Sequence, residues 1–257
     1  MKKAIIYIIV FLAIQLMATC LVAAVSQLLP MAGLQGLQST ETTIVGMVLF
    51  SIVTIGVFCR MKWAAPSRDY LLSRPWGVLF WSVVAALGAV IPSMALQEAM
   101  PELPNLIEQE MGDILLHRGG YLVVCLLAPL TEELVCRGAV LRALLKWRPA
   151  QRWGMIALSA LLFALIHLNP AQMPHAFIIG LLLGWMYERT GSIVPGVAYH
   201  WANNTVAYVL FRVYPDPDYR LIDIFSGQQR AVAAAIVFSL FILLPAIYQL
   251  NMRLRRV

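Results

Sequence analysis

Residues 4–29 contain no charged side chain. About 20 apolar residues suffice for a helix to cross a bilayer, so this run is long enough to span one. Lys2 and Lys3 precede it as they would a secretory signal, but the run is too long for a signal-peptide core, and a first transmembrane helix is expected. Further apolar runs follow at 44–59, 77–96, 121–145, 153–167, 176–187, 193–211 and 231–250. In lipid the backbone must satisfy its own polar groups, which leaves helices or a closed barrel. The runs are too long and too evenly apolar for barrel strands. The expected fold is therefore all-α: a polytopic transmembrane bundle of about eight spans, forming one membrane domain over residues 1–257.

Composition agrees. The chain is 61% hydrophobic and 12% charged, where a soluble domain is about a quarter charged. The net charge of +6 would suggest nucleic acid in a soluble protein. Here the placement of the charges accounts for it. With eight spans, one side of the membrane carries Lys2, Lys3, Arg60, Lys62, Arg68, Arg74, Arg142, Lys146, Arg148, Arg152, Arg189, Arg253, Arg255 and Arg256. The other side carries Arg118, Arg212, Arg220 and Arg230. This bias of 14 to 4 places the richer side, with both termini, in the cytoplasm. Trp147 and Trp153 flank one basic loop, as interfacial anchors do. The expected partners are the lipid bilayer and a membrane-associated protein or peptide, with no nucleic acid. The compact chain lacks eukaryotic sorting signals, and a bacterial plasma membrane is its expected location.

Several local features carry expectations. Pro92 should kink the third span. The polar connection 97–120 holds Glu98, Glu102, Glu108, Glu110 and Asp113, and a short interfacial helix is expected near 106–116. Gly180-xxx-Gly184 permits close helix approach. Cys20, Cys59, Cys125 and Cys136 lie in apolar runs without metal-ligand spacing and read as buried thiols. Residues 1–110 hold no diagnostic motif, and 231–257 read as a last span with a basic tail.

Ionisable residues inside spans are costly and call for a reason. The fourth run holds three: Glu132, Glu133 and Arg137. Glu133 and Arg137 are spaced i,i+4 with the acid first, the better order for a helical pair. Glu132 points about 100° away and has no helical partner. One carboxylate is thus structural and the other free for chemistry. His167 lies four residues after Phe163, whose ring can pack against the imidazole, and His200 shares a face with Asn204. His117 and His175 lie near polar loops and read as surface residues.

Glu132, His167, His200 and Asn204 suit hydrolysis of an acyl bond. A carboxylate can take a proton from water, and imidazole or amide N–H groups can stabilise an oxyanion. Equally, Glu132, His167 and His200 make a two-His, one-carboxylate set for zinc with an open position for water. The same buried groups would serve a proton-coupled transporter, a rival reading. Depth poses a difficulty. At about 1.5 Å per residue, His200 lies about 10 Å from the cytoplasmic start of its run and His167 about 21 Å from its own. This leaves the side of substrate access open, with a slight lean to the cytoplasmic one.

In order, Glu132-Glu133-xxx-Arg137, Phe163-xxx-His167 and His200-xxx-Asn204 resemble the three motifs of the CPBP intramembrane proteases, also called the Abi family, which include the type II CAAX prenyl endopeptidases. Residues 188–193, Glu-Arg-Thr-Gly-Ser-Ile, are similar to the family as well. The resemblance covers residues 115–210. Cys136 departs from the aromatic often found before the motif arginine, while every polar position is filled. The resemblance implies that Glu132 and His167 activate water, that His200 and Asn204 stabilise the oxyanion, and that Glu133 and Arg137 hold the motif helix. The family has been described both as metalloproteases and as metal-free, glutamate-dependent proteases. A divalent metal such as zinc on Glu132, His167 and His200 is one reading, and no metal is the other. Members include enzymes that trim prenylated C-terminal tripeptides and proteins linked to bacteriocin self-immunity. An intramembrane endopeptidase is therefore expected, with a non-enzymatic immunity scaffold as a further rival. For a bacterial chain the resemblance names no substrate.

Overall fold

The computed structural model describes residues 1–64, 67–215 and 219–255, so Arg256 of the basic tail lies outside the described residues. The described residues are helical, with no strand. Helices α1 (Lys2–Leu28) and α2 (Ser39–Arg60) pack together. A short α3 (Arg68–Leu72) leads to α4 (Trp76–Ala99), which runs through Pro92. The acidic connection folds into α5 (Glu108–Leu116), close to where the sequence places a short helix. Its first turn holds Glu108 and Glu110, where the helix dipole favours negative charge. It meets the motif helix α6 (Tyr121–Trp147) at 103°, so the acidic helix lies across the motif helix instead of extending it.

Helices α7 (Arg152–Leu165), α8 (Met173–Thr190) and α9 (Val194–Val213) gather against α6. A short α10 (Leu221–Ile224) precedes α11 (Gln229–Arg253), which packs along α4. The glycine pair of α8 does what its spacing suggests. A Cβ on Gly180 or Gly184 would stand 2.9 Å from Ala160 or Ile156 of α7. Of the four cysteines, all free thiols, Cys125 and Cys136 are buried, while Cys20 and Cys59 lie exposed on the outward faces of α1 and α2.

Helices stand at all eight places where spans are expected, but they are not equivalent. Among the described residues four are long and apolar enough to cross a membrane: Lys2–Ala32, Ser39–Arg60, Trp76–Ala99 and Gln229–Arg253. The bent pair of α5 and α6 raises this to five at most. Helix α7 has 14 residues, about 21 Å of rise, which is short of a bilayer. Helices α8 and α9 fall short in apolarity because they carry polar side chains: His175, Glu188 and Arg189 on one, His200, Asn203 and Asn204 on the other.

Helix α6 is wound unusually. Its segments Tyr121–Leu127 and Leu134–Leu141 are π-helical, on either side of the α-helical Ala128–Glu133. Such winding is rare and concentrates at functional sites. Side chains of neighbouring helices bond its carbonyls: Ser159 Oγ donates to Cys136 at 3.2 Å and Asn204 Nδ2 to Val124 at 3.0 Å.

Candidate active site

Glu132 and Glu133 end the α-wound segment of α6, and Arg137 lies in the π-wound turn that follows. The expected ion pair is present. Arg137 Nη1 donates to Glu133 Oε1 at 2.6 Å, with both side chains at or below 1% exposure. Removing either partner would strand a buried charge. The guanidinium also lies over the Phe163 ring, 4.2 Å from its centroid, and Nη2 reaches the Gly180 carbonyl at 3.4 Å. Packed cation and ring attract through the ring quadrupole.

Glu133 does more than the sequence indicates. His200 Nδ1 lies 3.2 Å from its Oε1, so an Nδ1–H donates to the carboxylate. That contact turns Nε2 of the same ring towards Glu132, 3.8 Å from Oε2. His200 therefore sits between the two glutamates. Glu133 is fully buried, while the Glu132 side chain is 21% exposed. The fit around Glu133 depends on Gly196, one turn before His200. A Cβ there would stand 2.8 Å from Glu133 Oε2.

His167 lies in the turn just past α7, where the sequence places it inside the helix. The last carbonyls of a helix lack intrahelical donors. His167 supplies one, with Nδ1–H donating to the Phe163 carbonyl at 2.7 Å. This fixes the tautomer and leaves the Nε2 lone pair free. Leu168 follows at φ 53°, a left-handed conformation that a bulky residue rarely adopts. The fully buried Asn169 comes next. It accepts from the Leu106 amide at 3.0 Å and donates to Asn105 Oδ1 at 2.8 Å, pinning the acidic connection beside the site. The His167 turn thus adjoins the end of the molecule that carries the acidic connection.

Phe163 is the hub of the cluster. Its buried ring meets His167 edge-on at 4.9 Å and His200 edge-on at 5.9 Å, with Arg137 on its face. The depth difficulty resolves here. The turn before α9 is sunk into the protein, with Thr190, Ser192 and Ile193 buried and the Ile193 amide donating to Ser67 Oγ at 3.3 Å. About 9 Å of rise from the start of α9 brings the His200 ring edge-on to Phe163, the ring that His167 also meets.

Asn204 is held by two hydrogen bonds. One amide hydrogen goes to the Val124 carbonyl, and Oδ1 accepts from Asn203 at 3.3 Å. His175, expected on the surface, is half-buried at the start of α8. It helps to line a groove of about 280 Å³ between α4, α8, α9 and α10, together with Asn203, Phe211, Tyr214 and Tyr219. Among the described residues no group of three or more His, Cys, Asp or Glu is placed to hold a metal ion together. Glu132, His167 and His200 do not form a ligand set in this geometry.

Residues 116–206 match the family model described as Type II CAAX prenyl endopeptidase Rce1-like. Neither the curated proteins nor the solved structures yield a match. The matched segment, about a third of the chain, contains all three motifs together with Phe163, and over that segment the chain is similar to the CPBP/CAAX proteases.

Proposed function

We propose that the chain is an intramembrane endopeptidase that hydrolyses a peptide bond of a membrane-associated substrate, with Glu132 as the base. The observation that carries this reading is the pair of adjacent glutamates in opposite circumstances. Glu133 is buried and engaged by Arg137 and His200, while Glu132 is partly open and faces His200 Nε2. Water held between Glu132 and His167 Nε2 attacks the carbonyl carbon, and its proton passes to Glu132. When protonated, His200 offers an Nε2–H to the oxyanion, and the second amide hydrogen of Asn204 offers another. As the C–N bond breaks, the proton held by Glu132 goes to the leaving amine. Glu133 and Arg137 orient His200 and hold α6. The groove beside His175 and Asn203 takes the apolar residues that flank the cut, and substrate arrives from the end that bears the acidic connection.

The test is turnover of a panel of membrane-anchored peptides, with and without a prenyl group, by purified wild type and Glu132→Ala. Cleavage by the wild type alone supports the proposal. Cleavage that survives the substitution rejects it, and so does substrate-coupled flux without cleavage.

A further inference from the structure

At the basic end of the molecule, three elements bring four cations around one cavity of about 370 Å³. Helix α1 supplies Lys3, with Tyr7 one turn on. The turn after α2 supplies Lys62 and Trp63. Helix α6 supplies Arg142, Lys146 and Trp147 from one face. Among the described residues no carboxylate lines the cavity. Among the described residues Lys3, Lys62 and Lys146 form no ion pair, and Arg142 bonds only the Trp63 carbonyl, at 3.5 Å. Like charges at i,i+4, as Arg142 and Lys146 are, repel along a helix, and here two further cations face them. The larger basic-end cavity is different. It holds Arg152, Arg189 and Arg255 but contains its own counter-charge, with Glu188 3.1 Å from Arg152.

Lys62 adds a second observation. Helix α2 ends with the Trp63 amide bonded to Phe58 and the Lys62 amide to Cys59, the bonding pattern of a Schellman cap. The cap residue at φ 55° is Lys62, in a conformation that favours glycine. The cap therefore carries a long cation where a residue without a side chain would fit best. Tyr7, Phe58 and Trp63 pack ring to ring at 4.9–6.1 Å and make the floor rigid.

We infer that this cavity is a binding site for the phosphodiester headgroup of an anionic phospholipid. Basic pockets between membrane helices bind such headgroups, and aromatic residues mark the interfacial level. Exposed Ile5, Ile6 and Ile9 follow along α1, an apolar track for the acyl chains. One wall belongs to α6, the helix of Glu132 and Glu133, so occupancy clamps α1 and the α2 cap against the motif helix. The inference does not depend on the proposed peptidase activity.

The experiment is thermal unfolding of the purified full chain in neutral detergent, with phosphatidylglycerol, phosphatidylcholine or inorganic phosphate added. A ligand that binds the native state well above its Kd raises the melting temperature, here by about 5 °C or more. Phosphatidylglycerol should give that rise and phosphatidylcholine should not. Lys62→Gln with Lys146→Gln should abolish it, while the charge-matched Arg68→Gln with Arg74→Gln should keep it. Equal loss in both variants would reduce the effect to general attraction and overturn the site. An equal rise with inorganic phosphate would overturn the lipid assignment. If the first variant does not fold, native mass spectrometry of the wild type decides: one phosphatidylglycerol retained per chain after delipidation supports the site, and none overturns it.

Discussion

The outer helices and the motif core solve opposite problems with the same backbone. Helices α1, α2, α4 and α11 are long and apolar, and a third or less of their most apolar windows is buried in the protein. Their surfaces suit lipid. Helices α7, α8 and α9 fail as spans by length or apolarity, yet they enclose buried polar side chains such as Ser159, Thr190 and His200. The membrane-facing shell supplies solubility in lipid. The core supplies chemistry that lipid would not tolerate. Substitutions should therefore act differently in the two regions, and four of them, in falling order of effect, test that contrast.

Glu132→Gln should lower turnover by about 10²–10⁴-fold, the usual worth of a general base, and leave the melting temperature near wild type. The amide keeps the shape and loses the base. A variant that melts early would show Glu132 to be structural instead.

Glu133→Gln should act mainly on stability. Arg137 would remain buried without its counter-charge, at a cost of about 3–5 kcal/mol in proteins generally. Adding Arg137→Met should recover part of that loss, read as melting curves in detergent. Activity should not return with stability, because His200 has also lost its charged partner.

Gly196→Ala probes the contact between α9 and the buried carboxylate. The added methyl group would meet Glu133 Oε2 at 2.8 Å, and overpacking of this kind costs about 1–3 kcal/mol. Turnover should fall with stability, since Glu133 aligns His200. A neutral result would mean that Glu133 has room to move. In the shell, Leu16→Ala on α1, at a side chain 67% exposed, should change stability by no more than about 0.5 kcal/mol and leave turnover unchanged.

Sequence reading reaches what repeats at helical spacing. The Glu133–Arg137 pair, the Phe163–His167 contact and the Gly180/Gly184 face all lie three or four residues apart and could be read directly. The Glu133–His200 bond could not, because 67 positions separate its ends. Nor could the brace from Asn204 to Val124, whose ends lie 80 positions apart. The groove that His175 shares with Asn203 and Tyr219 was not legible either, because its walls are far apart in sequence. The eight runs were legible as helices, but length and apolarity single out fewer of them as spans. Functional polarity in α8 and α9 lowers the signal by which spans are recognised.

The central claim is that Glu132 activates water for hydrolysis. Its most direct test is cleavage of a membrane-anchored peptide in water enriched in heavy oxygen, followed by mass spectrometry of the products. The account predicts one labelled oxygen in the new C-terminal carboxyl group with the wild type and no product with Glu132→Gln. Unlabelled product from the wild type, or labelled product at the wild-type rate from Glu132→Gln, would contradict it.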